Sequence, residues 1–389
     1  MPQSTRLPSL ALAVLAGCAL LTSGCAPGRA LEAKRLLLDV AAGEGPSDLK
    51  AATGTPTRET IELEVAGRRY AADRYTPAEP ADAALVLVPG AAPAGKDDRR
   101  LVAFATSLAR VRFEVLVPDI ENLRALKVTP ADATAIADAV RHHAASDGSA
   151  DGPESDRPVG VIAISYAAGP AVIAAVGDDI RHRVAFLYLV GGYYDITAAT
   201  AYFTTGYYRA SPAEAWREGR PDPTAKWIFL DANAERIQDP ADQQRLEAIA
   251  VRKQRRLDAD IAELKAQLGP EGQSVLALLE NRDPARVPDL IAGLPTGLRD
   301  DIMGLDVKSQ DLSRLKARLI LVHGRDDPVI PWSESAALAA AVPERQARLF
   351  MPDNLAHVDL GPGSIADALS LWEAAYRLLE ERDAMAAGS

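Results

Sequence analysis

Apolar positions along the chain fall into two alternating patterns. Short continuous apolar runs recur: "AALVLVPG" (83–90), "FEVLVPDI" (113–120), "VGVIAI" (159–164), "RVAFLYLVGGYYD" (183–195) and "ARLILVHG" (317–324). Such runs suit strands buried on both faces. Between them, apolar residues recur at helical spacing. "DDRRLVAFATSLARVR" (97–112) carries Leu101, Phe104 and Leu108 on one face. "TPADATAIADAVRHHAAS" (129–146) opens on Thr129-Pro130, a capping residue with proline at the first helical position. "TIELEVAGRRYAADRYTP" reads as two alternating strands and predicts a hairpin around Ala66-Gly67. "ARLFMPD" (347–353) predicts a last strand, and "SIADALSLWEAAYRLLEERDAMA" (364–386) a long closing helix. The fold class is therefore α/β: a mostly parallel sheet with helices on both faces. In such sheets ligands lie at the strand carboxyl ends, here the loops after Val88, Val117, Ile164, Val190 and Val322.

One stretch breaks this rhythm. About 120 residues separate Asp195 from Leu315 without a long buried run, against αβ connections of typically 2–6 residues. "DPADQQRLEAIAVRKQRRLDADIAELKAQLG" (239–269) predicts one long helix, started by Asp239-Pro240 and ended by Gly269. Leu246, Ile249, Leu257, Ile261, Leu264 and Leu268 form its stripe. "KWIFLDAN" (226–233) reads as a short strand. Tyr207, Tyr208, Trp216 and Trp227 read as core of the inserted unit. The division that results is a core from 59–196, a helical cap over 197–314 and a second core part over 315–389. Before the core, 26–58 combines an amphipathic helix in "RALEAKRLLLDVAAG" with a Pro/Gly/Ser/Thr linker, "EGPSDLKAATGTPTR".

Residues 1–25 are of another kind. "MPQSTR" is followed by "LPSLALAVLAGCALLTSGC", the layout of a secretory signal; its apolar part from Leu7 to Leu21 spans about 15 residues, short of the ~20 a bilayer core needs. "LAGC" ending at Cys18 and "LTSGC" ending at Cys25 each resemble the lipobox of bacterial lipoproteins, whose cysteine becomes the lipidated first residue. Cys18 has the tighter motif. Cys25 has the longer apolar run before it and polar "APGR" behind it. The resemblance implies an exported protein held in the bacterial cell envelope by a lipid; a plain cleaved signal is the other reading. These are the only two cysteines, so the mature domain carries no disulfide.

Composition narrows the chemistry. The net charge of −11 over 389 residues would repel nucleic acid, and no Lys/Arg run opposes that. The absence of H-E-x-x-H, of a spaced His cluster and of paired Cys in the domain argues against a dedicated metal site. No phosphate-binding glycine motif is present, so nucleotide binding has no support, and the serine chemistry read below calls for no cofactor. Five histidines exist, and most have ordinary readings: His142 and His143 as solvated helix residues, His182 in the basic turn "RHR", His323 in a strand as core.

The remaining candidate chemistry starts at "AISYAAG" (163–169). Ser165 stands where a strand becomes a helix, with Ala163 and Ala167 two residues to either side. It is either a helix cap or a nucleophile on a tight turn, where small neighbours let strand and helix approach. A nucleophilic serine needs a base and an orienting acid. His357 in "PDNLAHVDLGPG" follows a late strand and precedes the last helix. "HGRDDPVIP" offers Asp326 and Asp327 at the end of the strand before it. Asp195, ending "LVGGYYD", is an alternative acid.

From Ile61 to Leu379 the chain resembles the α/β-hydrolases with a cap between the sixth and seventh strands. The strict G-x-S-x-G of that family reads A-x-S-x-A here, and Ala356 replaces the usual glycine before the histidine. "GRDDPVIP" is similar to the family's acid turn, which maps the acid onto Asp327. "VLVPGAAPAGKDD" lies where the family places its oxyanion loop. The match implies that the backbone N–H groups of Ala91 and Tyr166 hold the oxyanion. It also implies a small-molecule acyl substrate, cleaved by Ser165, His357 and Asp327. A non-catalytic binding lipoprotein on the same fold, or an acyltransferase with the same triad, fits the same residues.

Overall fold

The computed structural model describes residues 27–127, 129–145, 157–211, 213–353, 355–356, 359–360 and 364–388. Its centre is one eight-stranded sheet. The strands are β1 (Thr57–Val65), β2 (Arg68–Thr76), β3 (Ala83–Val88), β4 (Phe113–Pro118), β5 (Val159–Ile164), β6 (Val184–Val190), β7 (Arg318–Val322) and β8 (Ala347–Phe350). Their order is β1-β2-β4-β3-β5-β6-β7-β8. β3 to β8 are parallel; β2 is antiparallel to both β1 and β4.

The principal helices are α1 (Pro27–Ala42), α2 (Arg99–Arg110), α3 (Ala131–Ala144), α4 (Ala168–Val176), α5 (Ile196–Thr205), α6 (Ala225–Asn233), α7 (Pro240–Arg255), α8 (Pro270–Glu280), α9 (Ser333–Ala340) and α10 (Ile365–Gly388). α1, α2 and α10 cover one sheet face; α3, α4 and α9 cover the other. This accounts for the continuous apolar runs. All six residues of β3 are buried, Leu85 and Leu87 toward the first face, Val86 and Val88 toward the second. The α/β sheet expected from the alternation is the one observed.

Several local expectations are corrected. "KWIFLDAN" is helix α6, not a strand: it buries Lys226, Trp227 and Leu230 at helical spacing. The helix begun at Asp239-Pro240 ends at Arg255 rather than Gly269. The Asp260 carboxylate accepts from Ala262 N (2.9 Å) at the start of a separate short helix, Ala262–Ala266. Leu257, placed in the apolar stripe, is 43% exposed, while Ile261 and Leu268 are buried after the chain has turned. The linker contains a one-turn helix, Asp48–Ala52, capped by Ser47. His142 and His143 are both buried, because α3 is packed against β1, β3 and β4 as well as α4. His143 Nε2 bonds to the Glu114 carbonyl at 2.9 Å.

The segment between β6 and β7 is helical apart from a two-residue pairing, Tyr207–Tyr208 with Arg217–Glu218. It has its own core, built on Trp227, Leu230, Leu246, Ile249, Leu276, Val287 and Ile291. Among the described residues no helix is long and apolar enough to cross a membrane. Cys18 and Cys25 lie outside the described residues.

Candidate active site

The sheet register brings the candidate loops to one level. Ile164 of β5 pairs with Val190 of β6, which pairs with Val322 of β7, which pairs with Phe350 of β8. Val88 of β3 pairs with Ala163. The chain therefore leaves β3, β5, β6, β7 and β8 at almost the same rung. Ser165 starts its loop two strands from the acid turn, roughly 10 Å at ~4.8 Å per strand.

Ser165 has φ +57°, in the left-handed region. A capping residue sits in the extended region with its side chain on the first helical amides. Here the residue in the capping position is Ile164, extended, and no side chain caps the turn Ser165–Ala167. The simple capping reading of Ser165 is thus displaced by a strained elbow, a conformation that costs on the order of 1–3 kcal/mol and must be enforced by the surroundings. Ala66, Arg112 and Leu126 also have positive φ, in turns. Ser165 alone among these four leads out of a buried strand into a helix.

The surroundings explain the enforcement. Ala163, Ala167 and Ala168 are fully buried around the elbow. Gly90 faces it so closely that a Cβ there would lie 3.3 Å from Ser165 Cβ and 3.3 Å from the Ile164 carbonyl oxygen. The loop Pro89-Gly90-Ala91 is thereby set against the serine. Tyr166, one residue on, is in the first turn of the helical segment, where backbone N–H groups have no intrahelical acceptor. The two amides proposed for the oxyanion, Ala91 and Tyr166, follow the two residues in this contact.

The Tyr166 side chain is locked. Its hydroxyl accepts from Thr129 N (3.1 Å) and donates to the Asp132 carboxylate (3.4 Å). Its ring stacks on Tyr193 at 6.3 Å and 28°. The Tyr193 hydroxyl in turn donates to Leu305 O (3.2 Å). Burial drives the Tyr166 phenol upward, aided by the Asp132 charge. Asp132 is itself fully buried, and burial pushes its carboxyl up to about 6 against the hydrogen bonds from Asn122 and Tyr166. The sequence reading missed this pair. Asp132 sits in a stretch whose first signal was helix capping, and only the fold places it under Tyr166.

Asp327 is buried in the turn after β7. One carboxylate oxygen accepts from Val329 N (2.7 Å) and Ile330 N (2.9 Å), which fixes the turn. The other lies 3.4 Å from His323 Nε2. His323 is core: its Nε2 donates to Ile330 O (2.9 Å) and its Nδ1 meets Ser335 Oγ (2.7 Å). Gly324 opens the acid turn against the Leu355 carbonyl, where any side chain would collide with backbone. Leu355 is two residues before His357, which lies outside the described residues. The acid turn and the chain leading to His357 are therefore in direct contact.

Asp195 is placed differently. One oxygen caps α5 through Thr197 N (2.9 Å) and Ala198 N (3.0 Å); the other pairs with Lys308 (2.8 Å). Beneath it, the fully buried Glu334 accepts from Tyr194 N and Asp195 N. Burial pushes the Glu334 carboxyl up to about 8 despite those bonds, with Asp195 and Asp306 adding to the rise.

The helical insertion bridges the site. On one side the Tyr202 hydroxyl of α5 donates to Asp327 O (2.8 Å), Asp222 N bonds to Pro328 O (2.8 Å), and Tyr208 meets Trp332 edge-on at 6.3 Å. On the other side Asn233 donates to Leu126 O (3.0 Å), and Glu235 pairs with Lys127 (2.6 Å). These anchors follow β7 and β4. Between those strands lie β3, β5 and β6, so the insertion passes over the end of the sheet that carries Ser165.

A mostly parallel eight-stranded sheet with its second strand antiparallel, a strand-to-helix elbow after β5 and a helical insertion between β6 and β7 form one layout. The fold is that of the α/β-hydrolases. No family model matches the chain, and no curated protein matches it. Solved structures similar to it include a serine hydrolase from Cycloclasticus zankles, with 14% identity over 83% of this chain and 97% of that one, at a TM-score of 0.42. A lipase in an open form shows 17% identity over 85% and 99%, at 0.48. A Pyrobaculum calidifontis esterase shows 15% identity over 96% and 98%, at 0.44. At these values the strand order and the elbow, rather than the likeness, identify the α/β-hydrolase fold.

Proposed function

We propose that this chain is a serine hydrolase that cleaves a carboxylic ester or a related acyl bond. The observation that carries the reading is Ser165 held at φ +57° between a buried strand and a helix, with Gly90 against it. Strain of this kind is retained where it serves a reaction. In the proposed mechanism Ser165 Oγ attacks the carbonyl carbon and gives its proton to His357. Asp327 orients the imidazole and stabilises its charged form. The N–H groups of Ala91 and Tyr166 take the negative charge that develops on the carbonyl oxygen; losing one such donor costs about 2.7–4 kcal/mol in comparable sites. His357 returns the proton to the leaving group, and water releases the acyl group by the reverse sequence. The bridging insertion and the small residues of "PGAAPAG" favour a small acyl substrate over a folded protein.

The test is labelling with a fluorophosphonate of protein lacking residues 1–25, beside Ser165→Ala and His357→Ala. Labelling of the wild type that disappears in both variants supports the reading. A folded wild type that stays unlabelled favours the non-catalytic binding protein instead.

We also propose that the chain is exported and held in the bacterial envelope by a lipid on Cys25 or Cys18. Arg382 of α10 pairs with Glu32 of α1 and donates to Val111 O just ahead of β4, so α1 lies near the strand amino ends. A membrane attached there would leave Ser165 at the far, carboxyl end, facing a soluble substrate. Palmitate labelling in a bacterial host, lost in Cys25→Ala or in Cys18→Ala, tests the anchor.

A further inference from the structure

A cavity lies in the helical insertion, lined by none of the proposed catalytic residues. It measures about 450 Å³, within the range of small-molecule pockets. Three cations line it: Lys226 of α6, Lys253 of α7 and Arg282 just past α8. Among the described residues none of the three has a carboxylate within ion-pair distance. The one acid in the wall, Glu280, is already paired with Lys265 at 2.5 Å. In a chain of net charge −11, three cations facing one acid that is already paired are an unbalanced arrangement.

The wall is built rather than merely exposed. Lys226 is buried, and its ammonium donates to Thr204 O (3.2 Å) and Leu279 O (2.7 Å), which leaves one of its three N–H bonds. Lys253 is held by its bond to Leu257 O (2.9 Å). Both ammonium groups lie over the Trp227 ring, at 5.6 and 5.9 Å from its centre. Leu257 adds an apolar surface that is 43% exposed. The lining thus sets cationic groups beside an aromatic ring and an aliphatic side chain.

We propose that this cavity binds a small amphiphilic organic anion, its carboxylate among Lys226, Lys253 and Arg282 and its apolar body on Trp227 and Leu257. Burial, and secondarily Arg282, lowers the Lys226 ammonium to about 8. A bound carboxylate would return it to the fully charged form. The proposal does not depend on Ser165 being a nucleophile.

The test is calorimetric titration with 4-phenylbutyrate, its uncharged amide, and inorganic phosphate. The expected result is a Kd below about 1 mM for 4-phenylbutyrate. The amide and phosphate should each bind at least tenfold more weakly. The double variant Lys253→Gln/Arg282→Gln, both near the surface and with no ion pair to lose, should keep its melting temperature and bind 4-phenylbutyrate at least tenfold more weakly. Ser165→Ala should bind it as the wild type does. Equal binding of the amide would overturn the anionic half of the assignment, and equal binding of phosphate the apolar half. No heat in the wild type, or an unaffected double variant, would overturn the site.

Discussion

Asp132 provides a quantitative check on the ground beneath the elbow. Its carboxyl is fully buried and raised from 3.8 to about 6, mainly by burial. A carboxyl raised in the folded state contributes stability below its unfolded value, and loses it as pH rises through the folded value. At 1.36 kcal/mol per pH unit, the distance from 3.8 to about 6 makes the ionised form cost roughly 3 kcal/mol above pH 7. At pH 4 the same linkage leaves only about 0.5 kcal/mol. Asp132→Asn removes the charge and keeps an oxygen for Asn122 and an amide that can donate to the Tyr166 hydroxyl. The variant should therefore gain about 2.5 kcal/mol more, relative to wild type, at pH 8 than at pH 4. With an unfolding entropy of about 2.1 cal/mol/K per residue, that is an extra shift of about 3 °C in melting temperature. Scanning both proteins at both pH values gives the difference of differences, in which every other titrating group cancels. An equal shift at the two pH values would refute the desolvated carboxyl, and with it the account of how Tyr166 is held.

Three further predictions address the reaction. Asp327→Asn keeps an oxygen for Val329 and Ile330, so the turn should persist, while kcat/KM for a simple ester falls on the order of 10⁴-fold. Asp195→Asn should change kcat/KM by less than about threefold and cost at most about 1–2 kcal/mol in stability, the value of a helix cap; the opposite pattern would transfer the acid role to Asp195. Gly90→Ala places a methyl 3.3 Å from both Ser165 Cβ and the Ile164 carbonyl, neither of which can yield without disturbing the elbow. Fluorophosphonate labelling should slow about 10–100-fold for about 1–3 kcal/mol of stability, and an unchanged rate would separate Gly90 from the oxyanion loop.

The sheet was legible because burial on both faces leaves a local trace. A strand such as β3, with all six residues covered, must be apolar throughout, and nothing in a solvated loop imitates that. Inside the insertion no such trace exists. "KWIFLDAN" has four apolar residues in a row and reads as a strand. It is a helix that buries Lys226, Trp227 and Leu230 on one face, with Lys226 reaching the Thr204 and Leu279 carbonyls, partners 22 and 53 residues away. Leu257 fits the apolar stripe of a long helix by spacing, yet the chain turns beside it, where Asp260 accepts from Ala262 N at the start of a new helix. Both outcomes were decided by tertiary contacts that a local pattern does not contain. The buried His142 and His143 make the same point: adjacent residues on a helix point to different faces, and α3 happens to be covered on both.

The two candidate acids show which part of a site a sequence can carry. Asp195 and Asp327 are the same residue type at the ends of strands, and each uses one oxygen to accept from two backbone N–H groups of its own loop. Local chemistry does not tell them apart. What differs is the second oxygen. That of Asp195 meets Lys308 in a half-exposed pair, whose attraction is small and already satisfied. That of Asp327 is buried beside His323, in a turn whose Gly324 is pressed onto Leu355, two residues ahead of His357. In the sequence the only trace of that contact was the interval between "GRDD" and "AHVD", a spacing that means something only once β8 lies parallel to β7.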